Sequence, residues 1–203
     1  MKFIVLTCVF RRRLTFNYCI GRMPEIERHI VYSNDEDKKE LNNAHWYKHQ
    51  NRPISNKWNY GLKQLKDVEF DYVIMMGSDN WFCEDFLKVV EENIKGYDVM
   101  GFEDLYIEDF HNREAYYFGG YKGKRRGKLI GAGMIYSKEF LKTIDFNLWN
   151  KPINKGLDSL AWSRLGNAKI KRMRLSDNEL ILCDVKDGQG LTPIHRIKGL
   201  KKL

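Results

Sequence analysis

The chain has 203 residues, 43% of them hydrophobic, which is enough for one substantial core and too little chain for two comfortable ones. That composition excludes a disordered chain. A formal net charge of +8 favours polyanionic partners, whether nucleotide diphosphates, nucleic acid or an acidic membrane surface, without choosing among them. Cys8, Cys19, Cys83 and Cys183 are scattered with no C-x-x-C pair, so neither a zinc site nor a disulfide framework is expected. No stretch approaches the ~20 apolar residues of a membrane span. The apolar run at Phe3–Leu6 is too short for a signal peptide and meets Arg11-Arg12-Arg13 soon after. The expectation is a soluble, cytoplasmic chain with one domain over 1–203 and a basic tail from about residue 187.

Phe3 to Phe10 is a continuous apolar run and reads as a first, central strand. Thr7 and Cys8 near its end are small enough to admit a ligand. Arg11-Arg12-Arg13 come next, either as phosphate contacts or as a solvated helix start. Leu14 to Met23 reads as a helix that ends before Pro24. His29 to Ser33 is a second strand, running into the acidic loop Asn34–Asp37. Asp35 there either hydrogen-bonds a base or ribose or caps a helix. His45 to His49 is a third short strand. Ser55 or Asn56 then caps a helix in which Trp58, Leu62 and Leu65 recur at i, i+4 and i+7.

Tyr72 to Met76 is the pattern of a strand buried on both faces in the middle of an α/β sheet. It stops at Gly77-Ser78-Asp79-Asn80. Trp81, Phe82, Phe86, Val89, Val90 and Ile94 follow at helical spacing up to Gly96. Asp79 thus stands just past the C-terminal end of a central strand, where open α/β sheets bind ligands. A carboxylate there either reaches a divalent cation that holds a diphosphate or merely caps the helix.

Tyr97 to Phe102 reads as another strand. Glu103, Asp104, Glu108 and Asp109 after it are either solvated surface or the lining of a cleft. Ala115 to Tyr121 is a strand feeding the basic turn Lys122–Lys128, a phosphate-contacting loop or a solvated hairpin tip. Leu129 to Tyr136 reads as a strand whose Gly131 and Gly133 suggest close approach of a ligand or another backbone. Ser137 caps the next helix. Gly156-Leu157-Asp158-Ser159 opens a further one, with Asp158 either complementing the helix dipole or aimed into a cleft. Ile170–Leu175 and Leu180–Val185 are two late strands.

Taken in this order, the pieces resemble the GT-A glycosyltransferases, family 2-like nucleotide-sugar transferases in particular. The marks are the strand Phe3–Phe10, Asn59 and Gly61 in an Asn-x-Gly pattern, Met76-Gly77-Ser78-Asp79-Asn80 at the DXD position, Gly131–Ser137, and Leu157-Asp158 at the late acidic motif. By order of elements the resemblance covers Phe3 to about His195. The departure is Gly77, which stands where the DXD pattern has its first carboxylate.

The resemblance implies an α/β fold: a single GT-A-like, Rossmann-related domain with a mixed central sheet flanked by helices. It implies transfer of a sugar from a nucleotide-diphosphate donor to an acceptor hydroxyl, on a hydroxymethylated base in DNA or on a surface glycan precursor. A divalent metal, Mn or Mg, would sit at Asp79 with His195 as a further ligand. Thr7, Cys8, Arg11, Asp35, Asn59, Ser78 and Asp79 would hold the nucleotide sugar, and Asp158 would be the general base. The alternative is a catalytically inactive GT-A-like module that binds nucleic acid. A nucleotidyltransferase ranks last, because no glycine lies between the first strand and Gly21.

Overall fold

The computed structural model describes residues 1–188 and 193–203, with Lys124 described by its backbone alone. The first half runs β1 (Phe3–Val9), α1 (Arg13–Ile20), β2 (Glu27–Tyr32), β3 (Ala44–Lys48), α2 (Ile54–Gln64), β4 (Tyr72–Gly77), β5 (Asn80–Phe82) and α3 (Phe86–Ile94). The second half runs β6 (Val99–Phe102), β7 (Leu105–Asp109), β8 (Glu114–Phe118), β9 (Met134–Ser137), α4 (Lys138–Thr143), α5 (Leu157–Ser163), β10 (Ile170–Met173), β11 (Leu182–Lys186) and β12 (Leu200–Lys202).

These strands form two sheets. The main one has the order β10-β6-β9-β4-β1-β2-β3 and the smaller one β12-β8-β7-β11-β5. β1 lies between two parallel neighbours, with Thr7 opposite both Ile30 of β2 and Met76 of β4. β9 runs antiparallel to both β4 and β6, which makes the main sheet mixed. The mixed sheet flanked by helices is the architecture the sequence led us to expect.

The apolar runs of β1 and β4 serve two cores by alternation. Ile4, Leu6, Val73 and Met75 pack on one face, and Val5, Ile74 and Met76 on the other. The first face is covered by α2, whose Gly61 lies against the sheet so closely that a Cβ would overlap Val31 Cγ2 and Leu6 Cδ1. The second face is filled by Phe82, Phe86 and Phe102, all fully buried, with Phe82 stacked on Phe86 at a centroid distance of 4.5 Å. Full burial of rings of this size is worth about 2–3 kcal/mol each. Among the described residues no helix is long and apolar enough to cross a membrane.

Several local expectations are corrected. Asn80–Phe82 is not the first turn of a helix but β5, antiparallel to β11 with Trp81 opposite Cys183. The helical spacing from Trp81 onward arises because Phe82 and Phe86 fill the same core from a strand and from the helix that follows it. The strand expected over Leu129–Tyr136 begins only at Met134, because Gly133 takes a left-handed φ of +70° and ends the turn before it. Neither Ser55 nor Asn56 caps α2. Pro53 holds the N-cap position, and Ser55 Oγ instead donates to Lys151 O at 2.9 Å. The acidic stretch after β6 contains β7, and Asp104 at its start is fully buried. Asp104 accepts hydrogen bonds from Tyr117 Oη, Leu175 N, Ser176 N and Ser176 Oγ at 2.7–3.2 Å. Those bonds make it an anchor between β6 and β10, since losing it would orphan buried backbone donors. The basic tail from about residue 187 contains β12, which closes the small sheet against β8; residues 189–192 of it lie outside the described residues.

Candidate functional site

The chain crosses from the main sheet to the small one at Ser78-Asp79, between β4 and β5. This crossing lies at the C-terminal ends of β1 and β4, the side on which open α/β sheets bind ligands. Asn80 shapes the turn by accepting the Gly77 N–H on its side-chain oxygen at 2.8 Å. A Cβ at Gly77 would overlap the side chains of Asp79 and Asn80, so the residue that departs from the two-carboxylate pattern is the one the turn has room for.

The turn after β1 is held just as tightly. Arg11 has a φ of +52°, and its N–H and that of Arg12 both donate to the buried carboxylate of Asp37, at 2.7 and 3.1 Å. The buried Lys57 of α2 caps the end of β1 by donating to Val9 O at 2.6 Å. Burial lowers the Lys57 pKa, with Cys8 and Asp37 opposing it. These bonds turn the Arg12 side chain toward the crossing. Its Nη1 donates to Asp79 at 2.5 Å and its Nη2 to Asp187 at 2.6 Å. Thr15 Oγ1 hydrogen-bonds the other oxygen of Asp187. Burial works against the Arg12 charge, but the two carboxylates outweigh it and raise the pKa.

β11 supplies the rest of the cluster. Asp184 lies opposite Asn80, and Lys186 Nζ meets Asp184 Oδ2 at 2.5 Å. Among the described residues, the buried Asp184 Oδ1 has no hydrogen-bond partner. Burial pushes the Asp184 carboxyl up to about 6, against Lys186 and with added repulsion from Asp79. Three carboxylates and two cations therefore converge where β1, β4 and β11 end.

Asp158 stands in the first turn of α5. It is exposed to solvent, with Gly131 close against its carboxylate. A Cβ on Gly131 would overlap its Oδ1. The crowding raises the Asp158 pKa, and Arg125 and the backbone oppose the rise. Arg125, from the basic turn, stacks over the Tyr121 ring at 3.7 Å from its centroid. Burial raises the Tyr121 pKa, with the charges of Asp158 and Asp184 adding to the rise and Arg125 opposing it. Beside it lies a cavity of about 520 Å³ lined by Lys122, Arg126, Lys128 and Arg174, with Glu103 as its one acidic residue.

The residues singled out in the sequence fall into three groups. Ser78, Asp79, Thr7 and Cys8 lie at the strand ends beside the cluster, Thr7 and Ser78 buried, and burial pushes the Cys8 thiol pKa well up. Asp158 lies in the first turn of α5 against Gly131. Arg11 serves the turn through its backbone while its side chain stays exposed. Asp35 is exposed and paired with Lys48 at 2.7 Å. Asn59 is bonded to Asn147 Oδ1 and to both backbone groups of Trp149, at 2.6–3.1 Å. His195 lies on an exposed turn, with no hydrogen bond to the cluster among the described residues. Arg12, Asp184, Lys186, Asp187 and Tyr121 were not singled out individually. The one available signal was the arginine run together with the carboxylates at the end of the last long strand.

No protein-family model matches this chain, and no curated protein matches it. Solved structures do. S. aureus TarS 1–349 in complex with UDP-GlcNAc aligns with a TM-score of 0.63 at 17% identity, over 94% of this chain and 60% of that one. The CMP:2-keto-3-deoxy-manno-octonic acid synthetase complexed with CTP aligns with a TM-score of 0.51 at 10% identity, over 86% and 90%. A197 from STIV aligns with a TM-score of 0.51 at 15% identity, over 95% and 100%. The fold is therefore GT-A-like. The chain spans about three-fifths of the length of the TarS fragment.

Proposed function

We propose that this chain transfers a sugar from a nucleotide-diphosphate donor to an acceptor hydroxyl. The observation that carries the reading is the Arg12–Asp79–Asp187 cluster at the C-terminal ends of β1 and β4, with Asp158, its pKa raised, lying against Gly131 in the turn before β9. A general base works best with its pKa lifted toward the working pH. The TarS complex makes UDP-GlcNAc the first donor to test.

In this reading the nucleoside lies against Thr7 and Cys8 at the end of β1, with Ser78 beside it. The diphosphate faces Arg12, Lys186 and the basic turn that carries Arg125. Asp79, Asp184 and Asp187 are hard oxygen donors, and the unpartnered Asp184 Oδ1 is an acceptor in want of a cation, so the residues fit Mg or Mn. Bound there, such a metal would stabilise charge on the leaving diphosphate. Arg12 already neutralises Asp79 and Asp187 in part, and its guanidinium suits phosphate oxygens. Asp158 takes the proton of the acceptor hydroxyl, and Arg125 holds its carboxylate in place. The cationic cavity beside Tyr121 favours an acceptor that carries negative charge, which suits both a hydroxymethylated base in DNA and a phosphorylated glycan precursor.

The experiment is a transfer and hydrolysis assay on UDP-GlcNAc and other nucleotide sugars, with wild type, Asp158→Asn and Asp79→Asn. Nucleotide-diphosphate release that falls at least about 100-fold in Asp158→Asn, with the fold intact, supports the reading. A chain that binds DNA with a steep salt dependence and turns over no donor would instead be the inactive binding module.

A further inference from the structure

A second cluster lies away from the donor cleft, toward the other end of the main sheet. Glu27 opens β2, opposite Ile4 near the start of β1. His29 follows two positions on and leaves the same face of the strand. His45 of β3 sits directly opposite His29 in the parallel pair. His29 Nε2 lies 2.9 Å from Glu27 Oε1, and His45 Nε2 lies 3.7 Å from the same oxygen. The two imidazoles stack with centroids 4.7 Å apart and planes 19° apart. One ligand atom from each of the three residues lies within 4.8 Å of the others.

These separations suit one small ion. Zinc bonds of about 2.0–2.2 Å in a tetrahedral site place the ligand atoms about 3.4 Å from one another. The observed 2.9 and 3.7 Å bracket that value. The surroundings also suit a metal. Tyr47 Oη, a group that both donates and accepts, meets His29 Nδ1 at 2.9 Å. A proton held there leaves Nε2 as the ligating atom, the usual outer support of a metal-bound histidine. Lys2 takes the far oxygen of Glu27, Oε2, at 3.0 Å and leaves Oε1 facing the histidines. Burial lowers the His29 pKa, with Glu27 opposing and His45 and Lys2 adding to the effect. The His45 side chain is 55% exposed, which gives the site an open side.

We propose that Glu27, His29 and His45 form a zinc-class metal site that clamps β3 to β2 and keeps one coordination position for water or a small anion. Two imidazoles and one carboxylate select zinc and its neighbours over Mg or Mn, which prefer all-oxygen sites. The site is thus chemically distinct from the carboxylate cluster of the donor cleft. The cysteine spacing that spoke against zinc has no bearing here, because this donor set is assembled by the register of two strands. β3 is an edge strand of the main sheet, held by β2 alone, and a clamp there would secure it.

The test uses the full chain, stripped with chelator and then dialysed against micromolar Zn²⁺, with bound metal counted by elemental analysis. Co²⁺ substitution gives a second readout, since tetrahedral coordination by nitrogen and oxygen produces visible absorption. Wild type should hold one zinc. His45→Ala changes an exposed side chain and leaves the fold standing, and it should bind at least about 100-fold more weakly, as should Glu27→Gln. Tyr47→Phe should cost about tenfold through the outer shell. Asp79→Asn should retain the zinc. A wild type that holds no zinc, or a His45→Ala variant that holds as much as wild type, would overturn the proposal.

Discussion

Asp79 and Asp187 share one guanidinium. Arg12 donates to the first from Nη1 at 2.5 Å and to the second from Nη2 at 2.6 Å, and so ties the end of β4 to the end of β11. Asp187 thereby places a second carboxylate opposite the one that the Gly77 departure leaves alone. Removing the arginine would leave two largely buried carboxylates facing each other. Arg12→Ala should therefore destabilise the chain by about 3 kcal/mol and abolish donor-induced stabilisation. Arg12→Lys should recover part of the stability but not the bridge, because an ammonium is a point charge without the planar fork. Thermal melts with and without donor read both effects. A wild-type melt for Arg12→Ala would mean that the bridge carries no weight.

The raised pKa of Asp158 sets a pH dependence. In its proposed role as base it must be ionised, so kcat/KM should fall as pH drops through its pKa. That acid limb should lie above the 3.8 of an ordinary aspartate, because desolvation raises the group against Arg125 and the backbone. The limb should disappear in Asp158→Asn, whose residual rate is flat over the same pH range. A limb that persists unchanged in the variant assigns the titration to another group.

Gly131 offers a subtler test of the same residue. An alanine methyl would overlap Asp158 Oδ1, and the carboxylate can rotate away at little cost to the fold. Gly131→Ala should keep the melting temperature within a few degrees while transfer falls by roughly 10–100-fold, since small misplacements of a catalytic group are costly. Unchanged kcat in this variant would argue that Asp158 works from another position.

Asp184 makes a stability prediction with a definite sign. Its carboxyl is lifted from the ordinary 3.8 to about 6 in the folded chain. The folded state then holds the proton more tightly than the unfolded one. Its contribution to stability is greatest below about 3.8, declines as pH rises to about 6, and stays low above that. Asp184→Asn mimics the protonated form. The variant should melt higher than wild type at pH 7.5, and the gap should close near pH 4. A variant that melts lower than wild type by the same margin at both pH values would refute the assignment.

Much of this was legible in the sequence, and the rest was not for physical reasons. The central strands β1 and β4 show as uninterrupted apolar runs because both of their faces are buried. Ser137 shows as a cap, and its Oγ does accept the Phe140 N–H at 3.1 Å. β5 was hidden because it is three residues long and exists only through pairing with β11 about a hundred positions later. The Arg12–Asp187 contact spans 175 positions, and no local pattern encodes it. Gly131 and Asp158 were each noticed separately. That the glycine makes room for the carboxylate emerged only when the turn before β9 and the start of α5 came together. Asp35 read as either a base or ribose ligand or a helix cap; the carboxylate that holds the turn after β1 is Asp37, two residues on.

The most direct test of the central claim is sugar transfer itself, followed as nucleotide-diphosphate release from UDP-GlcNAc and a panel of other nucleotide sugars. Wild type is compared with Asp158→Asn and Asp79→Asn, each checked for fold by its melt. The account predicts turnover of at least one donor by wild type, a loss of about 100-fold or more in Asp158→Asn, and a weakened donor response in Asp79→Asn. Turnover that survives undiminished in Asp158→Asn, or a wild type that neither binds nor cleaves any nucleotide sugar, would contradict it.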